Sequence, residues 1–136
     1  MPLSFRSTVL ALFFALPLPA LAQESIVGTW TGTVVQGEQT FATTYTFVSP
    51  RGGVSRYPGV PCGGILAGGP KGDGFEYSET ITWGTLEEKP EGCINGTMRM
   101  AVDGDTMTLA WNGSHNGQAL TAAGELRRVG VKAKKK

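Results

Sequence analysis

Ser25-Ile26-Val27-Gly28-Thr29-Trp30-Thr31-Gly32-Thr33-Val34-Val35 alternates without a break. Ile26, Gly28, Trp30, Gly32 and Val34 fall on one side, and mainly threonine falls on the other. Successive side chains of a strand leave opposite faces of the pleat. A period of two in a run rich in β-branched residues therefore predicts a half-buried strand.

The same pattern recurs downstream. Residues 40–48 place Phe41, Thr43, Tyr45 and Phe47 together, and Val54-Ser55-Arg56-Tyr57 is a short strand stopped by Pro58. Residues 75–83 set Phe75, Tyr77, Glu79, Ile81 and Trp83 against Glu76, Ser78, Thr80 and Thr82. Residues 93–102 align Ile94, Met98, Met100 and Val102. Asp103-Gly104 is a two-residue hairpin signal, because both positions tolerate positive φ. Residues 106–111 then point Met107, Leu109 and Trp111 inward, Asn112 to Gly117 is a looser turn, and 118–129 align Leu120, Ala122, Gly124, Leu126 and Arg128. Between Pro58 and Gly74, three prolines and seven glycines surround one apolar piece, Ile65-Leu66-Ala67. That composition predicts the longest irregular region, with a single brief strand.

Seven or eight strands joined mostly by short turns, with no segment of helical period, make the chain all-β. The expected architecture is an antiparallel up-and-down barrel, with a β-sandwich as the alternative. Closure removes the exposed edges that a sheet otherwise has to protect.

Of the 136 residues, the first 22 read as a signal peptide. Arg6 precedes the apolar run 9–16, which is too short to span a bilayer, and Ala20-Leu21-Ala22 gives the small-x-small cleavage pattern. The expectation is one barrel domain over 23–130 and a disordered basic tail over 131–136, where Lys132, Lys134, Lys135 and Lys136 crowd together. Without that tail the body is mildly acidic, which argues against a nucleic-acid-binding face. No later apolar run is long enough to span a membrane, so a soluble product in the periplasm or the exterior is expected. In an exported chain the two cysteines, Cys62 and Cys93, are expected to form a disulfide.

With both ends in view, Gly28-Thr29-Trp30 on the first strand and an arginine at the end of the last resemble the calycin group, the lipocalins and avidins. The Gly-Thr-Trp opening is particularly avidin-like. The resemblance implies that Arg128 packs across the Trp30 indole and closes the base of the barrel. It covers the two ends and the strand count, and the avidin biotin site is not carried over.

Glu79 is the unexpected member of an otherwise apolar face. A buried carboxylate needs a partner or a raised pKa, and Arg56, Arg99 and nearby Tyr and Thr hydroxyls are the available partners. Trp30, Tyr45, Tyr77, Trp83 and Trp111 are candidates to line a pocket with Glu79. The catalytic constellations are missing. The one histidine, His115, lies in a Gly/Asn-rich turn, and no Gly-x-Ser-x-Gly elbow occurs. Gly68-Gly69-Pro70-Lys71-Gly72 lacks the Ser/Thr that a phosphate loop carries after its lysine. No metal site and no cofactor are expected. The functional expectation is a non-catalytic binding module, holding a small apolar ligand. The alternative is a protein-interaction or inhibitor-like module acting through the 58–74 loop and the barrel rim.

Overall fold

The computed structural model describes residues 25–130. The signal peptide expected over 1–22 and the tail expected over 131–136 lie outside the described residues. Eight strands run in chain order: β1 (Gly28–Gln36), β2 (Gln39–Ser49), β3 (Gly52–Tyr57), β4 (Cys62–Lys71), β5 (Gly74–Trp83), β6 (Gly96–Asp103), β7 (Thr106–His115) and β8 (Gln118–Arg128). Each is antiparallel to the next, and β1 pairs with β8, so the sheet closes into an up-and-down barrel. The all-β barrel expected from alternation is the observed fold, and the sandwich is not. No helix among the described residues is long and apolar enough to cross a membrane.

The alternating faces explain the closure. Trp30 and Val34 point into the barrel from the first strand, with Ile26 buried just before it, and Thr43, Tyr45 and Phe47 from the second. Met98 and Met100 come from β6, Met107, Leu109 and Trp111 from β7, and Leu126 from β8. Fully burying a large apolar side chain is worth about 1.5–3 kcal/mol, so this lumen is the main favourable term of the fold. The outer wall carries threonine instead, at Thr31, Thr33, Thr80, Thr97, Thr108 and Thr121.

Three local expectations are corrected. Residues 58–74 are not an irregular loop, because β4 occupies Cys62–Lys71 and pairs with both β3 and β5. Its glycines mark close backbone approach rather than a loop. A Cβ at Gly64 or Gly68 would run into the carbonyl oxygens of Thr80 and Glu76. Secondly, Cys93 and Ile94 precede β6 and belong to the connection 84–95, which is the longest break between strands. Thirdly, the last hairpin is tighter than its composition implies. β7 runs on to His115, and Asn116 (φ 52°) and Gly117 (φ 77°) alone make the turn.

A meander of this kind has two unlike ends. The β2–β3, β4–β5 and β6–β7 turns share one pole with both ends of the described chain. The β1–β2, β3–β4, β5–β6 and β7–β8 connections share the other.

Candidate functional site: a chamber above a buried carboxylate

The pole with the two ends of the described segment is shut. Trp30 is fully buried, and its Nε1 donates to the Ile26 carbonyl at 2.9 Å. Trp30 and Arg128 are register partners across the β1–β8 seam, and the guanidinium lies 4.3 Å from the indole centroid. Arg128 Nη1 donates to Val27 O at 2.7 Å, Nη2 donates to Ser25 O at 2.8 Å, and Nε donates to Asp105 Oδ1 at 3.2 Å. A planar fork can stack on a ring and serve several acceptors at once, which a lysine cannot. Gly28 passes directly beneath at φ 127°, where a side chain is strained and a Cβ would sit 3.3 Å from Arg128 Nη1. Above this plug, Phe47 and Tyr77 pack at 4.9 Å, and the Tyr77 hydroxyl donates to Pro50 O at 2.8 Å.

The other pole opens into a chamber of about 640 Å³. Val34, Phe41, Ile94, Leu120 and Ala122 supply apolar wall, and Gln36, Gln39 and His115 stand among the polar lining residues. Tyr45, Tyr57, Glu79 and Trp111 line it too, and these four form one hydrogen-bonded group.

Glu79 is 2% exposed. Tyr57 Oη donates to its Oε2 at 2.7 Å, and Trp111 Nε1 donates to Oε1 at 3.2 Å. The Tyr57 proton being committed to Glu79, Tyr45 is the donor in the 2.9 Å contact between the two tyrosine hydroxyls. The chain Tyr45 to Tyr57 to Glu79 thus has a fixed polarity, with every proton directed at the carboxylate. The Ser55 hydroxyl is also buried and lies near enough to favour the charged carboxylate. It nonetheless completes no hydrogen bond.

Among the described residues no cation pairs with Glu79. Arg99 sits on the outer wall, 3.8 Å from Glu76, and Arg56 is exposed on the outward face of β3. Burial therefore pushes the Glu79 carboxyl above its ordinary value, against the opposing pull of Ser55, Tyr57 and Trp111. Burial also raises both tyrosines well above the ordinary phenol range, with the carboxylate adding to the effect. Both phenols are neutral donors throughout the physiological range.

The connection 84–95 lies over the mouth, contributing Leu86, Pro90, Glu91, Cys93 and Ile94 to the lining. It is folded on itself. Leu86 N donates to Cys93 O, Cys93 N donates to Gly84 O, and Glu88 N and Lys89 N share the Thr85 carbonyl. The Cys62–Cys93 disulfide ties it to the start of β4.

The six pocket candidates separate by position. Tyr45, Glu79 and Trp111 converge on the chamber, Trp30 belongs to the plug, and Tyr77 packs in the lower half of the lumen. Trp83 is 45% exposed on the outside. The alternation that put it beside Glu79 breaks at a bulge. Gly63 faces Trp83 while Gly64 faces Ile81, leaving Thr82 as the extra residue. Its indole lies over Gly63, where a Cβ would come within 2.8 Å of Nε1. Tyr57 was not among the candidates, although alternation with Ser55 places it on the inner face of β3. Among the described residues no group of three or more metal-ligating side chains is assembled.

These features define a closed, eight-stranded antiparallel barrel with one sealed and one open pole, an architecture compatible with a calycin-like barrel. Comparison with protein-family models, with curated proteins and with solved structures finds no match in any of the three.

Proposed function

We propose that the chain is an exported, non-catalytic binding barrel of calycin-like type. In this reading it holds one small, mostly apolar molecule in its lumen. The observation that carries the reading is the asymmetry of the two poles. One is sealed by Trp30 and Arg128, and the other opens onto a chamber of about 640 Å³ with apolar walls and a polar floor. Ligand sites are of this size and make-up, and barrels of eight strands are wide enough to hold one small ligand. The disulfide supports an oxidising compartment such as the periplasm or the exterior. A partner-binding loop at 58–74 draws no support, because most of those residues are paired within the barrel wall.

Native mass spectrometry of the oxidised protein, taken from its own exported fraction, tests the reading. The expected spectrum shows the chain plus one small adduct, which denaturation releases. A bare mass under gentle activation, together with no response of Trp111 fluorescence to apolar titrants, would overturn it.

A further inference from the structure

We propose that the chamber is a receptor for an organic amine, its ammonium seated on Glu79 and its apolar body lying along the lumen. This rests on the binding reading above and names the ligand class. Three observations carry it.

The first is the unbalanced floor. A carboxylate can accept about four hydrogen bonds, and Glu79 receives one on each oxygen. Both donors are neutral, and among the described residues no salt bridge reaches it. A carboxylate held in a cavity without a counter-ion is costly, and an incoming cation removes that cost.

The second is the buried Ser55 hydroxyl, which is 1% exposed and has no hydrogen-bond partner among the described residues. It does not line the chamber but lies beside Glu79, where it favours the charged carboxylate that an ammonium needs.

The third is the charge of the lining. Its titratable side chains are Tyr45 from β2, Tyr57 from β3, Glu79 from β5, Glu91 from the connection 84–95, and His115 at the end of β7. Among the described residues no lysine or arginine lines the chamber. A carboxylate-bearing ligand would meet two acidic groups and no fixed positive charge, so it is disfavoured. An alcohol would gain a hydrogen bond but no charge. Only an ammonium gains both.

The test is calorimetric titration of the oxidised protein at pH 7.5 with octylamine, 1-octanol and octanoate, which share one chain and differ in the head group. The expected result is octylamine bound at least about tenfold more tightly than octanol, with octanoate weakest. Glu79→Gln should abolish the amine preference, bringing octylamine and octanol to within about twofold of each other.

Equal binding of octylamine and octanol by the wild type would overturn the proposal, as would a preference that survives in Glu79→Gln. Binding of octanol without amine preference leaves the lumen as a binding site and removes only the amine. Failure of all three probes removes both. Should the Gln variant not fold, the indole N–H resonances of the wild type decide. Octylamine should move the Trp111 signal further than octanol does, while Trp30 and Trp83 stay in place. A silent Trp111 on amine binding would overturn the assignment.

Discussion

Tyr57 and Glu79 meet side chain to side chain across 22 positions of sequence, with the phenol donating to the carboxylate at 2.7 Å. This contact fixes the direction of the whole polar chain in the floor. Replacing Tyr57 by Phe leaves Oε2 without its donor and Tyr45 without its acceptor. The cost should be about 1–3 kcal/mol, because the acceptor is buried. It should be larger at pH 8 than at pH 4, since the lost bond favoured the charged form. Urea unfolding of wild type and Tyr57→Phe at both pH values checks this, and an unchanged midpoint at pH 8 would contradict it.

Glu79 also makes stability depend on pH. Its folded-state pKa lies above the ordinary value of 4.5. Below that value both folded and unfolded chains keep the proton. As pH rises past it, the unfolded chain releases its proton first, so the stability contributed by this group declines until the folded carboxyl ionises too. Glu79→Gln does not titrate and should escape the decline. The difference in unfolding free energy should therefore move in the variant's favour as pH rises above about 4.5, and level off only once the folded carboxyl ionises. Parallel stability curves for the two proteins would rule out the assignment.

Arg128 is the keystone of the sealed pole. Arg128→Met keeps much of the side-chain volume but loses the stacked charge and the hydrogen bonds to Val27, Ser25 and Asp105. A loss of about 1–3 kcal/mol is expected, reduced from the full worth of those bonds because the site is partly exposed. Arg128→Lys should recover less than half of it, since a single ammonium cannot both stack and reach separated carbonyls. Thermal unfolding of the two variants gives the comparison. Full rescue by lysine would show that charge alone matters.

The disulfide closes a loop of 31 residues in sequence separation. In the chain-entropy picture that is worth about 3–4 kcal/mol. Its more local effect falls on the connection over the mouth. Paired Cys62→Ser and Cys93→Ser substitutions should lower the unfolding midpoint and speed amide exchange at 85–93 more than in the β1–β8 seam. Uniform acceleration across the barrel would instead make the bridge a global clamp.

The three tryptophans occupy three unlike settings: plug, outer wall and chamber floor. Binding should therefore quench or shift only Trp111. Trp83→Phe should leave the ligand-induced fluorescence change intact, and Trp111→Phe should remove it. A response that disappears with Trp83 would place the ligand on the outer wall.

Alternation made most of the barrel legible, because a strand with one wet face records its burial every second residue. It also put Glu79 on the inner face, where the structure has it. Trp83 was misplaced because a bulge adds one residue without any compositional mark, and everything beyond it changes face. β4 was hidden for the opposite reason. Its glycines answer to backbone crowding from β3 and β5, which is a property of the partners. Tyr57 stood in plain view before Pro58, but its role depends on Glu79 and Tyr45, which come near it only once β2, β3 and β5 are assembled. The chamber's depth belongs to the same class, being set by how the side chains of eight strands fill a shared space.

Arg128 also gathers the two ends of the described chain. It binds the carbonyls of Ser25 and Val27 from a position 103 and 101 residues away in sequence. Anything joined to either end therefore hangs from the blind side of the vessel. A surface tether, a fusion partner or an immobilising tag would present the mouth outward, leaving the entrance clear. For the same reason the two ends lie close enough to be spliced by a short linker, and the chain reopened beside them at the β6–β7 turn, which the structure places at Gly104-Asp105 rather than at the expected Asp103-Gly104. Such a permutant would keep its cargo space untouched.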